Sequence, residues 1–269
     1  MTTTLTHRRL SRNVLNRLID ETPSEPATLT DDHRRSLSAR FRAVPVNDHR
    51  RLDAWMVERA GRPWGPFRWS PATARRVVGN AALRRTTHDA SLTRFDAVES
   101  EVTDQLLRYA AGYARSGSLA WYLATCTPAV LGLVSAEAAN WATQLAEAAE
   151  SLDHPWSIAT SDAYYDVARA RTTLRGRRDL VVTSSQHRIL MRVRAGAPGK
   201  SAGPGLRADL TIDALADVNG ASAARVIGLW PEAGVVLSVD GTMMDLRSGA
   251  RDLVRTAVAN QRQHLAPAA

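Results

Sequence analysis

Apolar side chains recur at helical spacing through the first half of the chain and at strand spacing through much of the second. Over residues 5–20, Leu5, Leu10, Val14, Leu15 and Leu18 fall near one helical face, and arginines fill the others, which predicts a basic amphipathic helix. ETPSEPATLTDD then reads as a linker ending in a helix cap at Thr30 or Asp31. DHRRSLSARFRAV predicts a second short helix, and residues 1–62 together are expected to form a basic helical arm that packs on a main domain spanning 63–269. Ser70 before Pro71 pairs an N-cap with a first-turn proline, so a helix is predicted from Pro71 to about Arg85. Its apolar stripe is Ala74, Val77, Val78, Ala81 and Ala82, and Arg75, Arg76, Arg84 and Arg85 cluster at its two ends. Leu92 to Tyr113 predicts the next helix, burying Phe95, Val98, Val102, Leu106 and Tyr109. Thr127 and Pro128 repeat the cap-then-proline start for a helix to about Leu152, carrying Val130, Leu133, Val134, Trp141 and Leu145, with Trp141 as a core residue.

After DHPWS the pattern changes from helical to extended. Leu174 to Val182 alternates as a strand, and Arg188 to Arg194 does so again with Ile189, Met191 and Val193 on one face. AGAPGKSAGPGLR is rich in glycine and proline and predicts a flexible loop. A helix from about Ala208 to Asp217, a strand in ARVIGLWPE, a strand in GVVLSVDG and a closing helix from about Leu246 to His264 complete the pattern. The fold class is therefore α/β (α+β), with a mostly helical N-terminal half (67–152 within the main domain) and a β-β-α-β-β-α core over 160–264. That core predicts a mixed sheet of about four to five strands flanked by helices.

Composition narrows the partners. Formal net charge is +8 and the isoelectric point is about 10.6, a balance that favours polyanions such as nucleic acid. Lys200 is the sole lysine, so arginine supplies almost the whole excess. Cys126 is the sole cysteine, which excludes an internal disulfide and a cysteine-rich zinc site and predicts a small buried hydrophobe. The apolar run over 119–134 is short for a bilayer span and broken by Thr125, Thr127 and Pro128. With no apolar segment behind the basic N-terminus, the expected location is the cytoplasm, with no membrane partner. No phosphate-binding Gly-x-x-x-x-Gly-Lys-Ser/Thr loop, His-Glu-x-x-His zinc motif or Gly-x-Ser-x-Gly elbow is present.

The stretch LRGRRDLVV carries Gly176, Asp179, Leu180 and Val181 in the order Gly-x-x-Asp-Leu-Val, and the next strand ends Arg192-Val193-Arg194-Ala195-Gly196. With WSPATARRVVGNAALRR before it and ARVIGLWPEAGVVLSVDG after it, the segment 67–264 resembles the PD-(D/E)XK nuclease superfamily in its RecB-like branch. The resemblance implies a restriction-endonuclease-like core whose strand carboxylates bind Mg²⁺, which activates water for phosphodiester hydrolysis, and whose lysine helps to position that water. It leaves Asp179 as a ligand. Arg192 stands at the family's second acidic position and Arg194 at its lysine, which sets fixed positive charge where a cation should sit.

The expected function is thus a catalytically degenerate nuclease-like protein, without a cofactor, that binds DNA or a protein partner in DNA processing. Arg75, Arg76, Arg84 and Arg85 are the expected phosphate contacts, with Arg192 and Arg194 in the former active-site cleft. Asp179 in that reading pairs with Arg192 or Arg194 across neighbouring strands. The first alternative is an active Mg²⁺-dependent nuclease in which Asp179 is joined by a migrated carboxylate and Lys200. Glu137 is the first candidate for that carboxylate, followed by Glu101, Asp162 or Asp166. The second is a non-enzymatic scaffold whose basic faces meet acidic protein surfaces.

Overall fold

A computed structural model describes residues 8–22, 29–44, 51–59, 68–158, 164–167, 172–176, 178–183, 187–194, 196–216 and 223–265. The chain divides into two compact units, one formed by 1–64 with 152–269 and the other by 65–151. It is a mixed α/β protein. Among the described residues, no helix is long and apolar enough to cross a membrane.

The first unit is built on a six-stranded mixed sheet. Its strands are β1 (Arg8–Arg9), β3 (Trp156–Ile158), β6 (Leu180–Thr183), β7 (Arg188–Val193), β8 (Arg225–Trp230) and β9 (Val235–Asp240), in the order β1-β9-β8-β7-β6-β3. The central pair β7 and β8 is parallel, and the remaining neighbours are antiparallel. Every residue of β8 is buried, as is all of β7 after Arg188. Strands covered on both faces read as continuous apolar runs, which is how VIGLW was legible. A smaller sheet, β2 (Arg51–Asp53), β5 (Thr172–Arg175) and β4 (Tyr164–Val167), has the order β2-β5-β4. LRGRRDLVV is therefore not one strand. Leu174 lies in β5 and Leu180 in β6, in different sheets, so the local alternation hides a change of direction between them.

Helices α1 (Arg12–Asp20), α2 (Asp31–Arg40), α3 (Ala54–Glu58), α8 (Ala202–Ala216) and α9 (Met243–Leu265) complete this unit. The segment expected as an arm shares a core with the C-terminal half. Leu37, Phe41, Leu52, Met56 and Val57 cluster with Leu174, Leu190, Leu206 and Val226. Thr30 caps α2 by accepting from the His33 N–H. Helix α8 begins at Ala202, inside the stretch predicted as a flexible loop. Pro204 is tolerated there because a first-turn N–H would have no partner within the helix.

The second unit packs α4 (Pro71–His88), α5 (Arg94–Ala110), α6 (Leu119–Thr125) and α7 (Pro128–Glu150) around Ala74, Val78, Ala82, Val98, Val102, Leu123, Val134 and Ala138. Ser70 and Thr127 cap α4 and α7, each with proline in the first turn, as the sequence predicts. Gly79 lets the helices close. A Cβ there would lie 2.8 Å from the Ala138 carbonyl oxygen. Trp141 is buried, and its Nε1 donates to Asn80 Oδ1 at 3.0 Å. The predicted buried stripe of α5 is only half correct: Phe95 is 60% and Tyr109 42% exposed, as is Leu133 of α7 at 48%. Cys126 is half-buried.

Candidate functional site

Asp179, one residue before β6, is held by the sheet itself. The Val193 N–H donates to its Oδ2 at 2.9 Å, and Arg192 Nη1 donates to the same oxygen at 3.4 Å. This is the cross-strand pairing expected from the sequence. The principal partner of Arg192, however, is Asp209 of α8, with Nε donating to Oδ2 at 3.0 Å. Arg194 Nη2 reaches Asp209 Oδ2 at 2.8 Å and Glu58 Oε1 of α3 at 2.5 Å. Glu58 can lie there because position 205 is glycine: a Cβ would overlap Glu58 Cγ.

One turn further along α8 the motif repeats. Asp213 accepts from Arg178 Nε at 2.8 Å and Arg188 Nη2 at 2.8 Å, and the Ala223 N–H adds a third donor at 3.3 Å. Residues four apart on a helix share a face, so α8 presents two carboxylates to a set of arginines flanking and within β6 and β7. Asp179, Asp209, Asp213 and Glu58 face Arg178, Arg188, Arg192 and Arg194, four formal charges of each sign. The side chains of Asp179, Asp209, Asp213 and Arg192 are all at most 4% exposed.

The electrostatics follow from burial and balance. Desolvation alone would lower the Arg192 pKa, but Asp209 and Asp179 outweigh it and hold the guanidinium above its ordinary value. Burial raises the Asp213 carboxyl, opposed by Arg188 and Arg178. Asp53, the N-cap of α3, is also raised by burial, against the Met56 N–H that it accepts.

The residue set does not fit a magnesium site. Mg²⁺ needs carboxylate oxygens free to enter a near-octahedral shell. Here Asp179 Oδ2 and Asp209 Oδ2 are each engaged by donors, and two guanidiniums stand beside them. Among the described residues, no group of three or more histidine, cysteine, aspartate or glutamate side chains is arranged to hold a metal.

The other predicted site residues belong to other elements. Glu137, paired with Asp179 in the metal reading, belongs to the helical unit and accepts from Arg75 Nη1 at 3.0 Å. Arg85 binds Glu101 Oε2 at 3.1 Å and also pairs with Asp104. Arg76 and Arg84 are half-buried on the same helix and have contacts of their own. Lys200 is exposed in the turn before α8. Asp162 lies outside the described residues, and Asp166 pairs through its backbone with Thr173 in the smaller sheet. As they stand, Arg192 and Arg194 are not free to grip a phosphate, because both are buried among carboxylates.

Sequence reasoning missed three features. Asp209 and Asp213 were legible as a four-residue spacing inside ADLTIDALA, where Thr211 is the one other polar residue. Glu58 had no local signal, since its role depends on the approach of α3 to α8. Arg247, Arg251 and Arg255 repeat every four residues on α9 and are all exposed. They have no ion-pair or hydrogen-bond partner among the described residues. Charge divides just as unevenly: the sheet-bearing unit holds 27 basic and 19 acidic side chains, and the helical unit eight of each. The chain matches no protein-family model and no curated protein sequence.

Proposed function

We propose that this chain is a non-catalytic, nuclease-like protein that binds nucleic acid through the backbone phosphates, with the arginine row of α9 as its principal contact surface. The observation that carries this reading is the contrast between two sets of arginines. Those at the position of a nuclease centre are neutralised inside a buried network, whereas Arg247, Arg251 and Arg255 are exposed and unpaired among the described residues. The positive excess of the sheet-bearing unit supports it, since phosphate contacts and long-range attraction both need uncompensated cationic charge. At 1.5 Å rise per residue, the row of three arginines extends about 12 Å, enough to meet several successive phosphates.

The test is duplex binding by fluorescence anisotropy across a salt series, with cleavage read on the same samples in Mg²⁺, Mn²⁺ and EDTA. Binding without cleavage is expected. Each phosphate contact contributes about 0.9 to the slope of log affinity against log salt, so replacing all three arginines by alanine should flatten it by about 2 to 3. Metal-dependent cleavage abolished by Asp179→Asn would replace this reading with that of an active nuclease.

The protein-partner reading is favoured by a separate observation. The helical unit has no net charge and exposes Phe95, Leu107, Tyr109 and Tyr113 on and just after α5. Where exposed apolar groups of this size adjoin one another they mark a protein contact surface.

A further inference from the structure

Helix α2 carries Asp31, Arg34, Arg35 and Ser38 on one face, Arg42 follows in the short turn after it, and Tyr165 of β4 closes a cleft of about 450 Å³ with them. That volume is in the range of small-molecule sites. Three guanidiniums against one carboxylate give the lining a formal charge of +2. Among the described residues Arg34 Nη2 is buried and has no hydrogen-bond partner, and a buried charged donor left unsatisfied is costly unless a ligand brings an acceptor. Arg35 holds Asp32 at 2.6 Å, but those side chains are 78% and 84% exposed. An exposed pair of this kind is weak and yields to a stronger acceptor. Ser38 Oγ and Tyr165 Oη lie 3.2 Å apart, two hydroxyls that can each turn a proton outward.

Together these groups suit a ligand with about two negative charges and several strong acceptor oxygens on one centre, joined to an organic body beside the Tyr165 ring. A phosphate monoester has a charge of about −1.5 to −2 at neutral pH and three acceptor oxygens. A phosphodiester within a strand has one charge and two free oxygens and leaves part of the lining unsatisfied. We infer that this cleft binds a phosphate monoester, supplied either by a free mononucleotide or by the phosphorylated end of a nucleic-acid strand. The strand-end source rests on the nucleic-acid reading above; the mononucleotide source does not.

The experiment uses the full chain and follows binding by calorimetry and thermal shift. The probes are adenosine monophosphate, adenosine, and single-stranded oligonucleotides with and without a 5′-phosphate. Adenosine monophosphate should bind and adenosine should not. Arg34→Gln with Arg42→Gln should weaken binding about tenfold or more, with a smaller loss in Tyr165→Phe. The Arg247, Arg251 and Arg255 triple alanine variant should retain it. Preference for the phosphorylated oligonucleotide, lost in the Arg34 and Arg42 variant, identifies the strand end as a source; its absence while adenosine monophosphate binds identifies the free mononucleotide. Equal behaviour of adenosine and its monophosphate, or an Arg34 and Arg42 variant that binds like the parent, overturns the inference. Mononucleotide binding without duplex affinity leaves the inference standing and removes the proposed function, and duplex binding with no phosphate-end or mononucleotide binding does the reverse.

Discussion

Asp53 caps α3 through its side-chain oxygen while burial raises its carboxyl pKa above the ordinary 3.8. The folded chain thus holds this proton more tightly than the unfolded one. Its contribution to stability is fully present below pH 3.8 and is lost as pH rises through the folded value. Asn keeps the capping oxygen and removes the charge, so the urea midpoint of Asp53→Asn should gain on the parent as pH rises from acid to neutral. A difference that stays flat with pH would refute that account. Asp209 satisfies two guanidiniums at once. Asp209→Leu should cost about 3 to 5 kcal/mol in equilibrium unfolding, since it takes the nearer carboxylate from buried Arg192 and one of two from buried Arg194. Combining it with Arg192→Met should cost less than the two single changes added, a coupling that a double-mutant cycle measures directly.

Among the elements, helix starts were the most legible and helix contents the least. Ser70, Thr127 and Thr30 announce their caps in sequence because the capping bond spans only three residues. The first turn of α8, AGPG, has the composition of a loop. Only the packed structure shows why glycine is there: α8 is approached closely from two sides, by Glu58 at Gly205 and by α9 at its own Gly249. A Cβ at Gly249 would overlap the Arg207 carbonyl oxygen and Thr211 Oγ1. A backbone atom cannot rotate away, so Gly249→Ala must push α8 and α9 apart at about 1 to 3 kcal/mol. At Gly205 the obstacle is a flexible side chain. Gly205→Ala should therefore be milder and displace Glu58 from Arg194, detectable as a change in the Arg194 guanidinium signals by NMR.

At the scale of the whole chain, charge is unevenly divided. The net +8 resides in the sheet-bearing unit, while the helical unit is balanced. On the proposed reading, nucleic-acid affinity should be strongly salt-dependent and should survive neutralisation of Arg75 and Arg85, whose partners Glu137, Glu101 and Asp104 already compensate them. Anisotropy titrations of an Arg75→Gln, Arg85→Gln variant at two salt concentrations check this, and a loss comparable to that of the α9 triple variant would relocate the contact surface to the helical unit.

By itself the sequence determined the mixed α/β class, the order β7-α8-β8-β9-α9 at the C-terminal end, the capped starts of α2, α4 and α7, and that Asp179 pairs with Arg192 or Arg194. Each depends on local periodicity, on contacts a few residues apart, or on charges of opposite sign on neighbouring strands. The tertiary structure alone decided that Thr172–Arg175 and Leu180–Thr183 join different sheets, that Glu58 and Asp209 converge on Arg194, and which arginines stay uncompensated. Whether an arginine can meet a phosphate depends on the carboxylates that folding brings to it from distant parts of the chain, and linear spacing carries no record of them.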